Sequence, residues 1–62
     1  MNSTTKRVRL YIVQGIYPGG NGWEDLTAAT NGHEARTDLA AYRDNDPTGI
    51  FRLVRRIEEV PA

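Results

Sequence analysis

Tyr17-Pro18-Gly19-Gly20-Asn21-Gly22-Trp23-Glu24-Asp25 is the stretch whose reading decides the fold. It holds three of the six glycines of the chain and its single tryptophan. Glycine tolerates positive φ, and Pro18 fixes φ and removes a donor, so the backbone must reverse sharply here. Upstream, Val8, Leu10 and Ile12 alternate with Arg9, Tyr11 and Val13. That period of two, in β-branched, aromatic and long aliphatic residues, predicts a strand. Downstream, Trp23 to Ala29 reads as a shorter strand returning antiparallel to the first. The glycine stretch is therefore the loop of a hairpin.

Thr30-Asn31-Gly32-His33-Glu34 is a helix-start signal, with Asn31 as cap, Glu34 three residues on and Thr30 as the competing cap. Ala35, Leu39 and Tyr42 recur at helical spacing, and Asp44-Asn45-Asp46-Pro47-Thr48-Gly49 supplies several turn formers in succession. Ile50 to Ile57 predicts a third strand. Phe51, Leu53 and Ile57 point one way with Arg55 among them; Ile50, Arg52, Val54 and Arg56 point the other. The expected fold is α+β in the order β-β-α-β: a three-stranded antiparallel sheet with one helix packed on one face. The helix is expected over the face carrying Val8, Leu10, Ile12, Phe51 and Leu53. Residues 1–62 form a single domain, with 1–6 and 59–62 as frayed ends.

A chain of 62 residues lies near the lower limit for folding alone, since a domain this short buries only about 60% of its unfolded surface. Without cysteine, disulfides and thiolate metal sites are excluded, and one histidine makes a histidine metal site a poor fit. Oligomerisation is the remaining reinforcement, which predicts a homodimer. Eight basic and eight acidic side chains cancel, which argues against a polybasic coat for nucleic acid or membrane. No apolar run approaches the ~20 residues of a membrane span, and Met1 to Lys6 lacks the apolar core of a secretory signal. The expected location is the cytoplasm.

No catalytic constellation stands out, and the chain is expected to be non-enzymatic. A P-loop requires a lysine after its glycines and a helix next; here no lysine follows and the next element is a strand. Glu24 and Asp25 are consecutive on a strand and point to opposite faces, a poor arrangement for a shared acid/base pair. His33 has no serine or cysteine nucleophile nearby and reads as a solvated helix residue. Asp44, Asn45 and Asp46 lack the oxygen spacing and distal glutamate of a calcium loop. No cofactor and no metal are expected.

Two surfaces remain. Tyr17 and Trp23 flank the hairpin loop with Glu24 and Asp25, either packing a thin core or anchoring a protein partner. The face left open by the helix is expected to gather Arg7, Arg9, Arg52 and Arg56 with Tyr11, Val13, Ile50 and Val54. Arg9, Tyr11, Arg52 and Arg56 are the candidate contacts there. That face could close an isologous dimer, meet nucleic acid through arginine–phosphate contacts and stacking on Tyr11, or remain an open sheet shielded by arginine stems.

The run Arg9-Leu10-Tyr11-Ile12-Val13-Gln14-Gly15, then Gly22-Trp23-Glu24-Asp25-Leu26-Thr27, resembles small uncharacterised proteins of bacteriophages and prophages. Glu34-Ala35-Arg36, Tyr42-Arg43-Asp44-Asn45-Asp46-Pro47 and Phe51-Arg52-Leu53-Val54-Arg55-Arg56 continue the resemblance over most of the chain. The group has no assigned activity, so no functional residues carry over. The resemblance implies expression in an infected bacterial cell and action by binding and modulating a host or anti-phage defence protein. The alternative is a small nucleic-acid-binding protein using a basic sheet face.

Overall fold

Residues 4–62 are described by a computed structural model, and Met1 to Ser3, part of the expected frayed end, lie outside the described residues. The elements follow the predicted order: β1 (Thr5–Ile16), β2 (Trp23–Ala29), α1 (Gly32–Asn45) and β3 (Ile50–Pro61). The three strands form one antiparallel sheet in the order β2-β1-β3. The fold is α+β. Thr5 and Lys6 pair with Pro61 and Val60, so β1 and β3 run into the segments expected to fray.

The glycine loop has the chemistry its sequence demands. The Gly20 N–H donates to the Tyr17 carbonyl at 3.1 Å, closing a β-turn with Pro18 and Gly19 at its centre. Gly19 has φ +80°, the value a type II turn requires after proline. Gly22, at φ +102°, turns the chain into β2. At the helix start, the Asn31 side chain accepts from the Glu34 N–H at 2.7 Å, the expected cap. At its end the Asp46 N–H returns to the Tyr42 carbonyl at 3.0 Å, and Gly49 bonds back to Asp46.

The register between β1 and β3 corrects one expectation. Val13 stands opposite Leu53, and Gly15 opposite Phe51, so the helix-facing side of β1 carries Tyr11, Val13 and Gly15. Val8, Leu10 and Ile12 lie on the opposite face with Arg56 and Val54. The physical reason is a contact between residues far apart in the sequence. A Cβ on Gly15 would meet Phe51 at 3.1 Å, so the phenyl ring needs the glycine beneath it. Tyr11, Ile12 and Val13 are apolar on both sides, and the alternation in β1 cannot choose between them.

Val13 is wholly buried between sheet and helix, together with Ala29, Ala35 and Phe51. The Phe51 ring meets Tyr42 of α1 at 5.5 Å and the edge of Tyr17 at 6.5 Å. The first turn of the helix stands over Tyr11, whose ring would lie 3.6 Å from a Cβ on Gly32. The helix thus runs from the middle of β1 to the start of β3.

In β2, Leu26 is an extra residue: Val13 pairs with Thr27, but Gln14 pairs with Asp25. This β-bulge keeps Trp23 and Asp25 on the open face and moves Thr27 to the helix side, away from them. Beyond Tyr11, β2 gives no partner to β1, so Thr5–Leu10 and Arg56–Pro61 project as a two-stranded arm. The molecule measures 51 × 27 × 12 Å accordingly.

Candidate functional site

The face without a helix is crossed by one connected set of side chains drawn from all three strands. The cross-strand row Asp25–Gln14–Arg52 places a carboxylate, an amide and a guanidinium side by side. Gln14 Nε2 donates to Asp25 Oδ1 at 2.8 Å, and Arg52 Nε donates to Gln14 Oε1 at 2.8 Å. These two bonds fix the orientation of the amide. Gln14 is 7% exposed, a buried polar group whose oxygen and nitrogen both have charged partners. Arg52 then lies over the Trp23 ring, its Cζ 4.0 Å from the centroid, a cation–π contact.

Arg56 completes the set from the other side. Its Nη1 donates to Asp25 Oδ2 at 2.7 Å, and its Nη2 to Oδ1 at 3.3 Å, a two-point pairing of fork and carboxylate. Arg56 stands opposite Leu10, four residues along β1 from the row of Asp25, so its stem must cross β1 near Ile12. That crossing accounts for Ile12 being 2% exposed on a face that no helix covers.

The arrangement sets the charge state of Asp25. The Arg56 guanidinium, and after it the Gln14 amide, hold its carboxyl below the ordinary value of 3.8. Arg56 is in turn held more firmly protonated by Asp25. A carboxyl with a depressed folded-state value contributes stability in full above 3.8, and that contribution falls away as pH drops through the lowered value. An NMR titration of the Asp25 carboxyl should therefore show a midpoint below 3.8, moving back up in Arg56→Met. A wild-type midpoint at or above 3.8 would contradict the pairing.

The eight candidate residues divide between two faces. Trp23, Asp25, Arg52 and Arg56 form the connected set. Tyr17 does not join it: its ring meets Phe51 edge-on at 6.5 Å on the helix side, on the rim of a groove of about 280 Å³ between the hairpin loop and the turn before β3. Glu24 faces the helix side opposite Gly15. Arg9 and Tyr11 also lie on the helix side, as does Arg7, opposite Ile57, Arg55 and Glu59 respectively. The single basic face expected from the sequence is thus split, because β1 presents its odd-numbered residues to the helix. Gln14, which links the set, carries one signal in the sequence, that of a polar residue following the apolar run Leu10-Tyr11-Ile12-Val13.

Among the described residues, no three His, Asp or Glu side chains are placed to hold a metal ion. None of the helices described is long and apolar enough to cross a membrane. Compared with known proteins, the chain matches no family model, no curated protein and no solved structure.

Proposed function

We propose that this chain is a non-enzymatic, phage-type accessory protein that binds and modulates a bacterial host or anti-phage defence protein in the cytoplasm of the infected cell. It does so as a homodimer, through the open sheet face. The observation that carries this reading is the connected set Trp23–Arg52–Gln14–Asp25–Arg56. Tryptophan and arginine are the side chains enriched where protein interfaces draw most of their energy. Here both are held in place before any partner arrives, so little side-chain freedom is lost on binding. Ile50, 59% exposed, adds an apolar neighbour at the same end of the face. The phage setting is supported by the sequence resemblance.

The charge distribution favours a protein over nucleic acid. Arg56 is engaged by Asp25, and Arg52 by Gln14 and Trp23. Arg9 and Tyr11, expected to add charge and stacking to the same face, lie on the other side of the sheet. Alanine at Trp23 or Arg52 should weaken a partner captured from bacterial lysate by at least about tenfold, the scale of a hot-spot truncation. Arg9→Ala should leave that partner bound as before. Equal retention by all three variants would remove the open face as the binding surface. A shift of an oligonucleotide at low salt, lost steeply at moderate salt, would establish the nucleic-acid alternative instead.

A further inference from the structure

The outer edge of β3 has free backbone groups and a sequence that complements itself. The Ala62 N–H donates to the Thr4 carbonyl at 3.2 Å, and these residues are opposite one another in the β1–β3 register. In an antiparallel ladder such hydrogen-bonded pairs alternate with non-bonded ones. Even-numbered residues of β3 therefore bond to β1, and odd-numbered residues turn their N–H and C=O groups outward. Two features agree with that assignment. Arg43 of the helix donates to the Phe51 carbonyl at 3.3 Å from outside the sheet. Pro61, which has no N–H to give, falls on an outward position.

Val54-Arg55-Arg56-Ile57-Glu58-Glu59-Val60 reads as two positive charges, an apolar centre and two negative charges, with valine at each end. Lay this segment antiparallel on a second copy with Ile57 opposite Ile57. Arg56 then faces Glu58, Arg55 faces Glu59, and Val54 faces Val60. The outward groups of Arg55, Ile57 and Glu59 fall into hydrogen-bonded pairs in that same register. Shifting by one residue would set outward groups against inward ones. Shifting the two-fold to Arg56 or Glu58 would break both Arg55–Glu59 pairings, and about Glu58 it would also set like charges opposite one another, which is unfavourable. Ile57 is 58% exposed in the single chain and lies on the two-fold.

We infer that β3 joins the β3 of a second copy, antiparallel about Ile57, to make one continuous six-stranded sheet. An isologous contact of this kind requires a self-complementary surface, and this segment supplies one. The corresponding free edge of β1, Thr5–Leu10, does not. Paired with itself about Val8, it would oppose Arg7 to Arg9, and such charges guard an edge against self-association. The inference rests on the homodimer reading and replaces the open face by the β3 edge as the contact between copies.

The test uses single charge reversals that leave the Arg56–Asp25 pair untouched. Arg55 and Glu59 are both exposed, and Arg55→Glu and Glu59→Arg should each remain folded by circular dichroism. Analytical ultracentrifugation should show the wild type as a dimer. Each variant should self-associate on the order of tenfold or more weakly, because like charges then face each other at both symmetry-related positions. An equimolar mixture of the two variants should recover the dimer, since every opposed pair is again of opposite sign. A monomeric wild type would overturn both the dimer and its interface. A wild-type dimer that both variants keep, or a mixture that fails to re-associate, would overturn the interface alone.

Discussion

Phe51→Ala is expected to remove most of the stability of this domain. The side chain is 7% exposed and sits where β1, β3, the helix and the hairpin loop meet. Its ring lies above Gly15 of β1, beside Tyr42 of α1, edge-on to Tyr17 of the hairpin loop and against Gly49 of the last turn. Truncating a buried phenylalanine to alanine costs about 3–5 kcal/mol, through lost transfer energy and an unfilled cavity. At roughly 0.05–0.15 kcal/mol per residue, a domain of this size has a total of only about 3–9 kcal/mol to lose. Urea unfolding followed by circular dichroism should show a variant largely unfolded, or nearly so, before denaturant is added. A loss under about 1 kcal/mol would mean that the ring is not the centre of the core.

Gly49→Ala should be the next most damaging change, for the opposite reason. A Cβ at this position would come within 2.5 Å and 2.6 Å of two Phe51 ring carbons and 3.0 Å from Asp46 Oδ2. The glycine carries no positive φ, so the requirement is one of space rather than of backbone conformation. The ring has little room to give, because Gly15, Tyr17 and Tyr42 hold it from other sides. Overpacking of this kind costs about 1–3 kcal/mol. Neighbouring sites that compete for one volume are not additive. Gly49→Ala combined with Phe51→Leu should therefore lose less stability than the two single losses together. Strict additivity in a double-mutant cycle would mean that the ring does not set the cost at Gly49.

Much of the fold is legible in short-range chemistry. Pro18 and Gly19 specify their own turn, Asn31 its own cap, and the residues from Asp44 to Gly49 their own helix stop. Each depends on neighbours within a few positions, so the chain carries the information locally. The face that β1 turns to the helix is different in kind. Tyr11, Ile12 and Val13 satisfy either choice, and the decision comes from Gly15 accepting the Phe51 ring some thirty-five residues later. The bulge at Leu26 is likewise unmarked by glycine or proline, yet it determines that Thr27 leaves the face of Asp25.

The candidate site follows the same division. Trp23, Asp25, Arg52 and Arg56 stand out in the sequence as side chains suited to recognition. Their grouping into one set does not, because it depends on the register of three strands and on Gln14 between them. By itself, the sequence determined the β-β-α-β order, the hairpin at the glycine loop and the charge pattern of β3 about Ile57, all properties of contiguous residues. Only the tertiary structure decided which arginines share a face and which backbone groups of β3 point outward. Strand pairing sets both, and a shift of one residue would exchange the faces and reverse the outward groups.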